Sequence, residues 1–217
     1  MIVAVTGTGT GIGKTHLACA VIGALRDRGV RAVGWKPVES GVTGAVGDDE
    51  DALRAASGGD VAAPTLRLRA PVAPNVAARA EGVAIDAFAL RARLGDLASA
   101  WEVVVVELAG GMFSPFDHRI DNADWLAGLD ARTLLVAPDR LGVLHDVTAT
   151  VRAARAMGIV FAAIALVAQD VSDASAATNL GELRTRLGAA VHAVPRGPVD
   201  TLRTAPSIAE LARALVP

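Results

Sequence analysis

Apolar and polar positions along this chain fall into blocks that switch between two periods. Ile2–Thr6 is an unbroken apolar run ending in a glycine-rich turn. His16–Arg28 follows, with Leu17, Val21 and Leu25 at intervals of four, the stripe of a helix closed by Gly29. Arg31–Lys36 is a second apolar run. Asp49–Ser57 predicts a helix that opens on acids, where the helix dipole favours them. Prolines at 64, 71 and 74 make Pro64–Pro74 an extended loop. Ala87–Ala100 predicts a helix. Val103–Glu107 is four valines and a glutamate, apolar on both faces as a central parallel strand requires. Strands over Thr133–Ala137, Val160–Ala168 and Ala190–Val194 then alternate with helices over Leu144–Met157, Ala176–Leu187 and Ser207–Leu215. Such alternation predicts an α/β fold with a doubly wound, mainly parallel sheet flanked by helices. Ligands then bind beyond the carboxyl ends of the strands. No internal repeat, linker or low-complexity stretch divides the chain, so residues 1–217 are expected to form a single domain.

Composition narrows the function. The 217 residues suffice for a well-buried core, and 52% of them are hydrophobic. Aromatics reach only 3%, too few for a surface that stacks single-stranded nucleic acid. The formal net charge is −2, and no Lys/Arg cluster follows a phosphate backbone, so no nucleic-acid partner is expected. Cys19 is the single cysteine and cannot close an intramolecular disulfide, which suits a reducing compartment. Met1–Thr6 lacks the basic start of a signal peptide, and the longest apolar stretches, such as Ile159–Ala168, are too short to span a bilayer. The expectation is a cytoplasmic protein with no membrane partner.

The first turn carries the clearest chemistry. Gly7-Thr8-Gly9-Thr10-Gly11-Ile12-Gly13-Lys14-Thr15 lies between the first strand and the first helix. Its glycines let backbone N–H groups converge on phosphate oxygens, and the helix N-terminus adds partial positive charge. This is a P-loop with five residues between Gly7 and Gly13, one more than the commonest form. Thr8, Gly9, Thr10, Gly11, Ile12, Gly13, Lys14 and Thr15 are the expected nucleotide-binding residues. Lys14 would reach the β- and γ-phosphates, and the Thr15 hydroxyl would ligate Mg²⁺. A dinucleotide fingerprint is excluded, because Lys36 rather than an acid ends the second strand.

Further candidates stand at strand ends. Glu107 closes the valine run and would be the carboxylate that a P-loop metal needs. Lys36, in Lys36-Pro37-Val38-Glu39-Ser40-Gly41, would hold an anionic substrate or the γ-phosphate. Asp48-Asp49-Glu50-Asp51 is an acidic run from which one carboxylate could complete a shell of oxygen ligands. Cys19, inside the first helix, is expected to be a buried small apolar group, and His16 and His118 have no partner at metal spacing.

In this order the motifs resemble those of the ATP-dependent dethiobiotin synthetases of biotin biosynthesis. The resemblance covers most of the chain and is strongest over the first 125 residues. It rests on the extended P-loop, Lys36-Pro37-Val38 with Ser40-Gly41, Asp51-Ala52-Leu53, Pro71, Pro74 and Glu81-Gly82, Glu107 with Ala109-Gly110-Gly111, and Leu141-Gly142 before a helix. It implies an ATP- and Mg²⁺-dependent cyclo-ligase that forms C–N bonds. In that family CO₂ forms a carbamate on 7,8-diaminononanoate, ATP phosphorylates it, and the second amine closes a cyclic urea. The resemblance selects Asp51 from the acidic run, so that Thr15, Asp51 and Glu107 would hold the metal. Lys14, Lys36 and Ser40 would be catalytic. Lys36, Ser40, Gly110, Gly111 and Leu144 would bind substrate, and Gln169 and Pro195 would border the nucleotide. A homodimer is implied too.

The chain departs from the family pattern at Leu108, where glycine is usual, at Asn75, at His145-Asp146, and at Gln169-Asp170. These keep other readings in play: a related enzyme for another small substrate, or an ATP binder without turnover. A dimerising ATPase switch fits less well, since no lysine precedes Gly13 in the P-loop and Ser207–Pro217 carries one arginine and one glutamate.

Overall fold

The valine run lies where the sheet is deepest. In the computed structural model, which describes residues 1–188 and 191–217, Val103 to Val106 are all buried. Val104 and Val106 pack into one apolar layer, and Val103 and Val105 into the layer on the opposite face. Both faces are therefore covered by helices, as the sequence pattern requires.

The chain runs β1 (Ile2–Gly7), α1 (Lys14–Asp27), β2 (Ala32–Trp35), β3 (Val38–Ser40), α2 (Asp48–Ala56), β4 (Leu66–Leu68), α3 (Pro74–Glu81), α4 (Ala87–Ala100), β5 (Val103–Glu107). It continues through α5 (Asn122–Leu126), β6 (Ala131–Pro138), α6 (Val143–Ala156), β7 (Phe161–Val167), α7 (Ala176–Leu187), β8 (Val191–Val194), α8 (Val199–Leu202) and α9 (Pro206–Leu215). Among the described residues, six strands form one sheet in the order β2-β5-β1-β6-β7-β8, with every pairing parallel. Leu17, Val21 and Leu25 of α1 join Leu53 of α2 and Leu211 of α9 on one face. Leu94 of α4, Val147 of α6 and Leu183 of α7 cover the other. Packing on both faces gives the doubly wound α/β arrangement.

Three differences from the sequence pattern bear on the site. The segment 64–74, expected as loop, contains β4, which pairs in parallel with β3 in a separate two-stranded sheet. Strands of three residues are too short to show a period, so neither β3 nor β4 stands out in the sequence. Helix α3 begins at Pro74, whose missing N–H suits the first helical turn. The expected strand over Ala190–Val194 begins at Val191, and Ala190 lies outside the described residues.

His192 on the edge strand β8 has both ring nitrogens buried without a hydrogen-bond partner. Burial pushes its pKa below the ordinary 6.5, with Arg184 adding to the effect and Glu210 opposing it. The unfolded chain then binds a proton that the folded chain resists, so stability falls as pH drops through 6.5 toward the lowered value. His192→Leu is expected to lose less thermal stability than the wild type between about pH 7.5 and about pH 5.5, measured by melting at closely spaced pH values.

Candidate functional site

Strand order and register bring three strand ends together. Trp35 of β2 pairs with Val106 of β5, and Glu107 of β5 pairs with Val5 of β1. Lys36, Glu107 and the turn after Gly7 therefore meet at one edge of the sheet.

The P-loop is stitched to its neighbours on both sides. The Thr8 N–H donates to the Val136 carbonyl at 3.0 Å, and the Met112 N–H donates to the Gly7 carbonyl at 2.8 Å. A Cβ on Gly111 would lie 3.1 Å from the Gly7 oxygen and 3.2 Å from the Gly9 nitrogen, so glycine there lets the loop after β5 pack tightly on the P-loop. Gly13 caps α1 with φ of 90°, a left-handed conformation that a glycine adopts without strain. Lys14 Nζ donates to the Gly9 carbonyl at 2.8 Å. Burial lowers its pKa to about 8, with Glu107 acting against the shift and Lys36 adding to it.

Next to this loop, opposite charges converge. Thr15 Oγ1 lies 2.8 Å from Asp49 Oδ1 and 2.8 Å from Glu107 Oε1. One hydroxyl carries one proton, so it can donate to only one of these carboxylates at a time. Lys36 Nζ donates to Glu107 Oε1 at 2.9 Å and pairs with Asp49 Oδ2 as well. Lys36 and Glu107 are 6% and 1% exposed, so this charge pair is almost fully out of water. Burial works to lower the Lys36 pKa, but Glu107 and Asp49 outweigh it and hold the ammonium above its ordinary value. Burial works to raise the Asp49 carboxyl, but Lys36, Thr15 and Lys14 keep it low. Glu107 Oε2 is buried with no partner.

This oxygen set fits a hard divalent cation. Three oxygens crowd together, sharing the one Thr15 proton and the protons of the Lys36 ammonium, and a fourth, Glu107 Oε2, is unsatisfied. Among the described residues no group of three or more His, Cys, Asp or Glu side chains forms a metal cluster. Two carboxylates and a hydroxyl are too few to hold such an ion alone. A Mg²⁺ here would need water and triphosphate oxygens to complete its shell.

A cavity of about 640 Å³ runs from the P-loop past Lys36, Asp49 and Glu107 to Ser40, Pro74 and Ser114. Ser40 Oγ is buried in it with no partner. A second cavity of about 440 Å³ adjoins Gly11–Gly13 on the other side and is bounded by Gln169, Pro195 and Leu202.

Most sequence candidates gather around these two spaces. Thr10, Gly11, Ile12, Gly13, Lys14 and Thr15 line the first, with Lys36, Ser40, Glu107 and Gly110. Gln169 and Pro195 line the second. Thr8 and Gly9 shape the turn without facing either cavity. Three placements differ from expectation. Asp51 points away from the site and pairs with Arg54 at 2.5 Å on the outer face of α2, while Asp49 stands at the junction. The reason is helical: Leu53 is the one buried residue of α2, and the residue four before it, Asp49, shares its inward face. Gly111 spends its N–H on Ser114 Oγ at 2.8 Å and buttresses the P-loop instead of facing substrate. Leu144 packs partly buried against the core and borders neither cavity. Asp49, Glu39 and Ser114 are site residues that the sequence pattern did not single out. The spacing to Leu53 was a signal for Asp49; Glu39 and Ser114 carried none.

The family departures resolve in part. Leu108 is buried in the core, and no non-glycine residue among those described has a positive φ, so its bulk neither strains the backbone nor fills the cavity. Asp146 pairs with Arg140 at 3.1 Å, which offsets its charge. Gln169 Nε2 donates to the Val167 carbonyl at 2.7 Å, leaving its amide oxygen free to accept. Asn75 Oδ1 is buried without a partner, and nothing in the structure explains it.

Comparison with known proteins places this geometry. A family model described as an AAA domain matches residues 2–202. The ATP-dependent dethiobiotin synthetase BioD of Anaeromyxobacter dehalogenans (strain 2CP-C) is 38% identical over 215 residues, covering 97% of this chain and 93% of the relative. The protein of the same name from Aromatoleum aromaticum is 40% identical over 190 residues, covering 84% of each. Among solved structures, a ParA family ATPase from Chlorobium tepidum superposes with a TM-score of 0.59 at 13% identity, covering 98% of both chains. The signal recognition particle receptor FtsY from Elizabethkingia anophelis superposes with a TM-score of 0.60 at 15% identity, covering 99% of this chain and 64% of that one. At such identities the two structures speak for the shared P-loop fold alone.

The two acids of α2 can be told apart directly. Asp49→Asn is expected to raise the Mg²⁺ concentration for half-maximal ATP turnover by at least about tenfold, while Asp51→Asn leaves it unchanged. A magnesium titration of both variants checks this.

Proposed function

The chain belongs to the ATP-dependent dethiobiotin synthetase family, and we propose that the groups at the carboxyl ends of β1, β2 and β5 carry its reaction. It is an ATP-dependent ligase that closes C–N bonds, here the cyclic urea of dethiobiotin from a diamine and CO₂. The observation that supports these residue roles is the junction of Thr15, Asp49, Glu107 and Lys36 on one cavity beside the P-loop.

Phosphoryl transfer asks the protein for positioning and charge neutralisation more than for covalent chemistry. The P-loop amides and the start of α1 receive the phosphates. Lys14, released from the Gly9 carbonyl, gives its proton-bearing Nζ to the terminal phosphoryl group. Thr15, Asp49 and Glu107 would hold Mg²⁺, which when bound would neutralise charge on the phosphates and on those two carboxylates. Lys36 would hold the carbamate through its ammonium group. The unpaired Ser40 hydroxyl supplies a hydrogen bond on the same side. The diamine occupies the cavity toward Ser40 and Pro74, and the base of ATP occupies the one bounded by Gln169 and Pro195. A homodimer in the cytoplasm belongs to the same proposal. Leu141 is 74% exposed on the loop before α6, and Leu144 does not reach the cavity of its own subunit. No helix among the described residues is long and apolar enough to cross a membrane.

ATP turnover by the purified chain is expected to require both 7,8-diaminononanoate and bicarbonate. Turnover that ignores both and responds to DNA or a partner protein would overturn the ligase roles in favour of a switch. Lys14→Ala is expected to lower turnover by about a hundredfold or more. Lys36→Ala is expected to impair diamine use while leaving nucleotide affinity near normal. Equal loss of both, measured by calorimetry and steady-state kinetics, would move Lys36 to the nucleotide side.

A further inference from the structure

Helix α2 brings Asp49 to the junction, and its start has no side-chain cap of its own. Its N-cap is Gly47, which offers no side chain, and its first turn is Asp48, Asp49, Glu50 and Asp51. The helix dipole favours these acids, but the first N–H groups of the helix still need acceptors. One acceptor pair comes from outside the helix. Glu39 Oε1 accepts the Asp49 N–H at 3.0 Å, and Glu39 Oε2 accepts the Glu50 N–H at 3.0 Å. Glu39 is 6% exposed, on a three-residue strand between Lys36 and Ser40.

We propose that Glu39 is a positioning residue for the metal site, fixing the Asp49 backbone so that the Asp49 carboxylate meets Thr15 and the cation. This rests on Asp49 being a metal ligand, as proposed above. The Asp49 side chain is held by Thr15 and Lys36, and its backbone by Glu39, so the residue is gripped from both ends. The far end of α2 is tied separately, through the buried Leu53 and through Ser57, whose Oγ accepts the Gly34 N–H at 2.9 Å. Glu39 thus governs the acidic turn rather than the helix as a whole. Arg67, level with Glu39 in the small sheet, adds a weaker tie through both carboxylate oxygens of Glu50 at 2.6 and 2.8 Å. Burial raises the Glu39 pKa, while the two N–H donors and Lys36 stabilise the ionised form. The space around Glu39 is closed: a Cβ on Gly47 would fall on its carboxylate. Gly47 has φ of −77° and ψ of 151°, a conformation open to alanine, so the obstacle nearest a side chain there is the Glu39 carboxylate rather than the backbone.

The test is Mn²⁺ binding, followed by electron paramagnetic resonance on the full chain with a saturating non-hydrolysable ATP analogue, beside thermal melting. Glu39→Ala is expected to raise the Mn²⁺ Kd by about tenfold, while binding of the analogue without metal is unchanged. Glu39→Gln, which keeps one acceptor oxygen, is expected to recover part of the loss. Gly47→Ala is expected to weaken Mn²⁺ by a similar factor through displacement of the Glu39 carboxylate, and it carries the test if Glu39→Ala does not fold. A lower melting temperature with wild-type Mn²⁺ affinity in both Glu39→Ala and Gly47→Ala would overturn the proposal and leave Glu39 a helix cap. Asp49→Asn separates the two levels. Unchanged Mn²⁺ affinity there would sink the metal role of Asp49 and this inference with it. A loss there, with none in Glu39→Ala, would sink the role of Glu39 alone.

Discussion

A charge pair that is almost fully dry, Lys36 with Glu107, is the constraint from which the rest of the site follows. Such a pair is not a source of stability. Removing two ions from water costs several kcal/mol per ion, and attraction across 2.9 Å in a poorly polarisable interior does little more than offset it. Breaking the pair is worse, about 3–5 kcal/mol, because one charge then stays buried alone. A fold keeps such an arrangement where the charges have a task with a ligand, and this one lies beside a P-loop on a cavity. The β2-β5-β1 order brings the two together, since Trp35 is level with Val106 and Lys36 and Glu107 follow them.

Much of this is legible in the sequence because it depends on local pattern. A run of β-branched valines fits a strand covered on both faces, and a polar residue that ends such a strand is a candidate for the ligand edge. That logic finds Lys36, Glu107 and the P-loop without reference to any contact. It fails where position depends on rotation about a helix axis. Asp49 and Asp51 are two residues apart, about 200° around α2, and motif resemblance points to the outward one. The single buried residue of that helix, Leu53, holds the information, since a residue four earlier faces the same way. Glu39 is illegible for another reason. Its role comes from a strand of three residues paired with another of three, and segments that short carry no period to read.

The departures from the family pattern teach a related point. Bulk at Leu108 looks threatening in the sequence, which shows adjacency and not direction. In the fold the side chain turns into the core, and only the backbone follows Glu107 toward the ligand edge. The added carboxylate of Asp146 is offset by Arg140, six positions earlier. That separation matches no helical spacing, and it is the turn into α6 that brings the two side chains together.

Charge balance explains why two lysines share one site. Asp49 and Glu107 oppose Lys14 and Lys36 two against two, and the Glu39 carboxylate, which also lines the cavity, is held by the two N–H groups at the start of α2. A metal-bound triphosphate brings net negative charge, and a carbamate brings more. While Lys36 is committed to both carboxylates it has little to offer an anionic substrate. On the proposed mechanism those carboxylates would hold a divalent cation, and the Lys36 ammonium would then face a site made more negative by the bound anions. Burial still works against the charged form, so the negative charge of the bound anions is what would keep the ammonium protonated. The metal–nucleotide pair and the carbamate would each strengthen the other's binding through this one side chain, a coupling that thermodynamics requires to be equal in both directions. Lys14 cannot substitute, because its partner in the loop is the uncharged Gly9 carbonyl and its position is fixed by the start of α1.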